Sequence, residues 1–368
     1  MDTARQPHLV ISGTQQLPAA GALIAWLMLA LLLATPMVVH ATEKPMGEYF
    51  GARLAEKPDW FKESFLEFEE DVAEAAAEGR RVMLYFHQDG CPYCARLVEE
   101  NFVDPEIKAY IIDHFDGISL NMWGDREVVS VSGRDFTEKT FAAALKVQYT
   151  PTLIFLDESG QVALRLNGYY PPEDFRAALR YVAEKHETRL SFADFRSEQA
   201  PATPGELNDE DFYLDDTNLA RVIETHDRPL AVYFESANCA ECDTMHRRIL
   251  TDPVTRKLVV EASNVQFDVA SEQSLTTPDG RQTTAREWAR ELDIAYTPSV
   301  VFFDSEGQQV MRIDAFIKTF HFQSVYAYVL EKAYLDTPQF QRYISARADH
   351  IREAGYDTDI WGYESFHE

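Results

Sequence analysis

The sequence repeats itself at a nearly constant offset, and this limits the possible folds more than any other feature. RVMLYFHQDGCPYC, ending at Cys94, returns as PLAVYFESANCAEC, ending at Cys242. Asp104-Pro105 returns as Asp252-Pro253, Gly133-Arg134 as Gly280-Arg281, and Tyr149-Thr150-Pro151 as Tyr296-Thr297-Pro298. Tyr181-Val182 then returns as Tyr328-Val329, with the offset held at 147 or 148 residues throughout. A register kept over that distance means two copies of one unit, each of a size that folds alone.

Each copy has the same coarse pattern. A helix opens it (FKESFLEFEEDVAEAAAEG in the first copy), followed by a buried strand (VMLYFH; AVYFE), a Cys-x-x-Cys pair and a helical stretch. A second strand (GISLNM; NVQFDV), a charged insertion and a short helix (TEKTFAAALK; TAREWARELD) follow. The strand after Thr-Pro (TLIFLD; SVVFFD), a tight turn, a further strand and a last helix close the unit. The pattern predicts an α/β protein of two tandem domains, each a central mixed sheet with helices on both faces. The domains are expected over 58–195 and 217–350. Residues 196–216, rich in Pro, Glu and Asp, form an acidic linker whose Phe212 and Tyr213 are placed to dock, and 351–368 an aromatic, acidic tail that can fold back onto the second domain.

All four cysteines of the chain lie in the two pairs. A disulfide scaffold would spread them, because a ring this small gains little from chain entropy. A strand before the pair and a helix after it put Cys91 at a helix N-terminus and Cys94 one turn in, close enough for a bond without backbone movement. Unpaired N–H groups and the positive end of the helix dipole lower the pKa of the first thiol. Cys91 is therefore the expected nucleophile and Cys94 the resolving thiol, with Cys239 and Cys242 in the same positions. Two such pairs could also bind zinc, but more than a hundred residues separate them, unlike the short spacing of zinc knuckles. The remaining alternative, strongest for the second copy, is a non-catalytic client-binding or scaffold protein with structural disulfides.

Strand, Cys-x-x-Cys, helix and a Thr-Pro directly before the next strand together resemble the thioredoxin fold, in tandem, from about Pro58 to about Ile344. The resemblance implies a thiol:disulfide oxidoreductase acting on protein disulfides or dithiols. It implies cis-prolines at Pro151 and Pro298 and substrate pairing along Thr150 and Thr297. No cofactor and no metal is needed, since the dithiol carries the electrons. The Gly-Arg insertion and the apolar amino-terminal run make the chain similar to exported bacterial, periplasmic members of the family, mostly reductive and fed by a membrane thiol reductase.

Three departures stand out. The usual Trp before the first cysteine is Gly90 or Asn238, and the usual buried aspartate is missing from Leu84-Tyr85 and Val232-Tyr233. His87 and Glu235, at the strand ends, become candidates for proton transfer, while His246 reads as a solvated helix residue. Pro92-Tyr93 is a pair familiar from glutaredoxins, whereas Glu241 puts a carboxylate beside Cys239. A nearby negative charge disfavours a thiolate, so Cys239 is expected to be the less reactive nucleophile and its pair the more reducing.

Residues Ala19–Val39 are almost unbroken apolar sequence, and Val39 and Ala41 are small residues at the positions a signal peptidase reads. Residues 1–41 are thus a cleaved signal peptide or, at this length, a retained membrane anchor. Either reading places the body in a periplasmic or other extracytoplasmic, oxidising compartment. The formal net charge of −27 argues against nucleic acid or anionic membrane surfaces as partners, so any membrane contact would run through the retained segment.

Overall fold

The computed structural model describes residues 45–199 and 205–365. The amino-terminal apolar run lies outside them; among the described residues no helix is long and apolar enough to cross a membrane.

The described residues open with a short strand, β1 (Tyr49–Phe50). Helix α1 (Phe68–Ala77) begins later than the pattern predicts. Leu66 takes a left-handed φ of 64°, which interrupts the helix, and Phe61 inserts into the core instead. Then come β2 (Arg81–His87), α2 (Pro92–Arg96) running on as a π-helical turn over Leu97–Phe102, α3 (Pro105–His114) and β3 (Phe115–Asn121). The charged insertion is a hairpin of β4 (Glu127–Val129) and β5 (Asp135–Thr137). Thr137 then caps α4 (Glu138–Ala144). Strands β6 (Thr152–Leu156) and β7 (Val162–Asn167) and helix α5 (Pro172–Ala183) close the copy.

Helix α6 (Phe192–Gln199) continues into the stretch predicted as linker, so a boundary at 196 falls inside a helix. Farther on, Leu214 N–H donates to Asn264 O at 2.9 Å, and Tyr213 packs on Tyr233, laying this segment along the second sheet.

The second copy runs α7 (Leu219–His226), β8 (Leu230–Glu235), α8 (Ala240–Thr244) with its π-turn (Met245–Ile249), α9 (Pro253–Val259) and β9 (Ser263–Asp268). It continues through the hairpin β10 (Ser274–Thr276) and β11 (Gln282–Thr284), α10 (Ala285–Glu291), β12 (Ser299–Phe303), β13 (Gln309–Ile313) and α11 (Thr319–Leu330). Helix α12 (Phe340–Glu353) crosses the expected domain end at 350, and β14 (Thr358–Asp359) pairs in parallel with β1.

The sheets have the orders β3-β2-β6-β7 and β9-β8-β12-β13, each with one parallel pair and two antiparallel pairs. Strand alternation sorts the side chains. Val82, Leu84 and Phe86 pack with Phe68 and Phe141 on one face, and Val232 and Phe234 with Leu219 and Trp288 in the second copy. Met83 and Tyr85, with Ala231 and Tyr233, point to the other faces, which merge into one core continuous across both domains.

The domains meet through equivalent positions. Asn167 Nδ2 donates to Asp314 Oδ2 at 3.0 Å, and Gly168 faces Ala315, each pair occupying the same place in the two repeats. Self-equivalent contact is the mark of an approximate twofold relation. Tyr149 OH donates to Arg312 O at 2.7 Å, and Tyr170 OH to Asp314 O at 3.1 Å. The loops that carry the Thr-Pro motifs therefore lie at the domain interface.

Candidate active site

Strand β2 ends beside the Cys-x-x-Cys turn, and α2 starts there with Pro92 at its first position, where a missing N–H costs nothing. Cys91 is the N-cap, and the Cys94 N–H donates to its sulfur at 3.0 Å. The second copy repeats this, with Cys242 N–H donating to Cys239 Sγ at 3.0 Å. Both pairs are disulfide-bonded, with Cα–Cα separations of 5.3 and 5.1 Å, and Cys91 and Cys239 border different cavities. An amide aimed at the first sulfur favours its anionic form once the bond opens.

The Thr-Pro motif stands opposite each pair. Both Thr150-Pro151 and Thr297-Pro298 are cis. Thr150 Oγ1 donates to Cys91 Sγ at 3.4 Å, and Thr297 O lies 3.5 Å from Cys239 Sγ. The predicted residues thus come together as two sites: Cys91, Cys94, Thr150 and Pro151, and Cys239, Cys242, Thr297 and Pro298.

The sequence model for the thioredoxin-like domain matches residues 68–183 and 216–330, together more than half of the chain. The chain belongs to the thioredoxin-like family. With a Cys-x-x-Cys pair in each copy it is a thioredoxin-like protein-disulfide oxidoreductase. Among solved structures, a thioredoxin-fold protein from Helicobacter pylori is similar at 24% identity, over 34% of this chain and 85% of that one, with a TM-score of 0.29. A thioredoxin from Thermus thermophilus matches at 24% identity over 38% of this chain and 89% of its own, with a TM-score of 0.27. The oxidised DsbD C-terminal domain of Neisseria meningitidis matches at 21% identity over 30% and 89%, with a TM-score of 0.25. No curated protein matches the chain.

The two thioredoxin-like sites differ in access. Cys91 is 4% exposed and Thr150 6%, whereas Cys239 and Thr297 are half-buried. The difference comes from parts of the chain outside the first domain. Tyr93, between the first two cysteines, is 6% exposed, and its hydroxyl accepts the Lys318 N–H at 2.8 Å. Its ring meets His321 and Trp361 edge-on, with centroids 5.1 and 5.0 Å away. Burial pushes its phenol far above the ordinary range, so it stays neutral. Tyr363 folds onto the second domain as expected, against Lys318 and Arg248, whereas Trp361 bridges both domains, touching Tyr93 and lying with its ring centre 3.8 Å from Lys318 Nζ. Phe366 lies outside the described residues.

Helix α12 completes the cover. Gln341 Nε2 donates to Gln148 O at 3.0 Å, two residues before Thr150, and Gln341 Oε1 accepts from Gln88 at 2.7 Å. What remains is a cavity of about 250 Å³ beside Cys91, lined by both domains. Cys239 instead borders a cleft of about 750 Å³ that includes Asp174 and Arg196 of the first domain and Arg286 and Arg290 of the second.

The candidate proton-transfer groups lie elsewhere. His87 stacks on Tyr85 and lines a separate pocket with Lys62, Arg126 and Glu138; burial lowers its pKa. Glu235 is fully buried and accepts from His246 Nε2 at 3.1 Å and Gln266 Nε2 at 3.0 Å. His246, read from the sequence as solvated, is 5% exposed, with Nδ1 3.0 Å from Glu210. Burial pulls its pKa down, but the bonds to Glu235 and Glu210 outweigh this and raise it. Sequence reasoning also missed Lys318 and His321. The available signal was divergence: their counterparts in the first copy are Pro171 and Asp174.

Proposed function

We propose that this protein is an exported thiol–disulfide oxidoreductase that works mainly as a reductase on protein disulfides. The observation that carries the exchange chemistry is the donation of the second cysteine's N–H to the first cysteine's sulfur, 3.0 Å in both copies. The first thiolate, Cys91 or Cys239, attacks a substrate disulfide, and one substrate sulfur leaves. Cys94 or Cys242 then attacks the mixed disulfide, closing the protein ring and releasing the second substrate thiol. Thr297, ahead of Pro298, presents backbone to the substrate chain, and Thr150, ahead of Pro151, holds the equivalent position beside Cys91. The dithiol carries the electrons without a cofactor, and a membrane thiol reductase returns them. The apolar run Ala19–Val39 supports a periplasmic or extracytoplasmic location. The domains are assigned as 58–195 and 217–350, adjusted to the helices that cross their ends.

Burial of Cys91 favours a second reading for the first pair alone, a structural staple. The test is redox equilibration of the full chain, with Cys91→Ser/Cys94→Ser and Cys239→Ser/Cys242→Ser variants isolating each pair. Potentials near about −270 mV mark a reductase, and values near about −120 mV an oxidant. A pair that stays closed in dithiothreitol under native conditions is a staple.

A further inference from the structure

The enclosure of Cys91 has a chemical consequence. A protein substrate must lay backbone along Thr150, but Thr150 is buried and helix α12 occupies the neighbouring edge, with Gln341 bonded to Gln148 O. The cavity that remains, about 250 Å³, is smaller than the roughly 300–1,000 Å³ of a pocket for a drug-sized molecule. It is not sealed: Tyr49, Asp89 and Ser345 line it and are exposed, which puts its mouth between β1, the loop before Cys91 and α12. Among the described residues its lining contains no Lys or Arg, and the exposed Asp89 stands at the rim. His321 lines the wall from the second domain, and among the described residues its buried Nδ1 has no hydrogen-bond partner.

We propose that the Cys91–Cys94 site exchanges with a low-molecular-weight thiol that is uncharged or carries an amine, while the open Cys239–Cys242 site serves protein substrates. The assignment rests on the reading of Cys91 as redox-active. Starting from the oxidised pair, one small thiolate attacks Cys91 Sγ, forms a mixed disulfide and displaces Cys94 as a thiolate. A second small thiolate attacks the small-molecule sulfur of that mixed disulfide, releasing the small disulfide and leaving Cys91 as a thiolate. Two small thiols are oxidised, one protein disulfide is reduced, and their two protons finish on Cys91 and Cys94. The His321 imidazole adds no positive charge to the wall, because burial, which pulls it down to about 4, keeps it uncharged. The second cleft contrasts in size and in charge, with Arg196, Arg286 and Arg290 on its walls.

The test uses the oxidised full chain and follows each pair separately, by rapid alkylation and peptide mass measurement. The reductants are cysteamine, mercaptosuccinate and a reduced single-domain thioredoxin; the second pair corrects for their intrinsic reactivity. The expected result is that the thioredoxin-to-cysteamine rate ratio is lower at the first pair than at the second by about tenfold or more. The mercaptosuccinate-to-cysteamine ratio should be lower there too. Equal ratios at the two pairs overturn the proposal. Ser345→Trp, at the exposed mouth, should slow cysteamine at the first pair and leave the second unchanged; an unslowed first pair counts equally against it. If dithiothreitol fails to open the first pair, the redox reading of Cys91 itself falls. A pair that opens with equal ratios removes only the small-thiol assignment.

Discussion

The Tyr93 hydroxyl accepts the backbone N–H of Lys318 at 2.8 Å, tying the turn between the first two cysteines to the second domain. The contact spans 225 residues of sequence and joins the first Cys-x-x-Cys turn to the N-cap residue of α11. Reactivity of the first pair is therefore a property of the two-domain body.

Removing that hydroxyl should loosen the cover. Tyr93→Phe keeps the ring contacts with His321 and Trp361 but strands the Lys318 amide, at a cost of about 1–3 kcal/mol. The expected outcome is a lower denaturation midpoint and faster alkylation of Cys91 in the reduced protein. Unchanged alkylation would mean that the cover does not depend on this bond.

The interdomain contact has a second sensitive point at Gly168. Its φ is +96°, and a Cβ there would stand 2.9 Å from the Ala315 Cβ. Gly168→Ala therefore combines backbone strain with a clash between domains, and should destabilise by about 1–3 kcal/mol. Ala315→Gly in the same chain relieves only the clash, so partial rescue is expected in urea denaturation. Wild-type stability for Gly168→Ala would refute the close approach.

How much of this was legible depends on whether a feature is periodic or relational. The repeat, the alternation in VMLYFH and AVYFE, and the Cys-x-x-Cys and Thr-Pro positions are local patterns, and they were enough for the two mixed sheets and the pairing of Cys91 with Thr150. The late start of α1 was not legible, because the helix-like spacing of Phe61, Phe65 and Phe68 does not reveal that Leu66 turns left-handed. His246 was misread because its partners lie 11 and 36 residues away. The cover over Cys91 was invisible for the same reason: Tyr93, His321, Gln341 and Trp361 acquire a joint meaning only when the domains pack.

The two nucleophiles should also differ in reactivity through Glu241. In the Cys91→Ser/Cys94→Ser background, Glu241→Gln removes the negative charge two residues from Cys239. The Cys239 thiol pKa should fall, because a nearby negative charge disfavours the thiolate. The pH dependence of iodoacetamide alkylation measures it. An unchanged or higher pKa would show that Glu241 is not what distinguishes the sites.

His246 makes stability pH-dependent with a definite sign. Its folded pKa is raised, by hydrogen bonds to Glu235 and Glu210 that outweigh its burial, so folding favours the protonated ring. Below the unfolded value of about 6.5 the ring is charged in both states, and the full benefit of the ion pairs is present. As pH rises from there the unfolded chain loses the proton first and the benefit shrinks; above the folded pKa it is gone. His246→Gln cannot carry the charge, so the wild-type advantage in urea denaturation should be largest at pH 5.5–6.5, about 2–3 kcal/mol, and decline toward alkaline pH. Glu210 sits in the segment leading into the second domain, so that segment should become more accessible to protease over the same interval. An advantage that is flat or grows with pH would mean that His246 is held neutral between the two carboxylates.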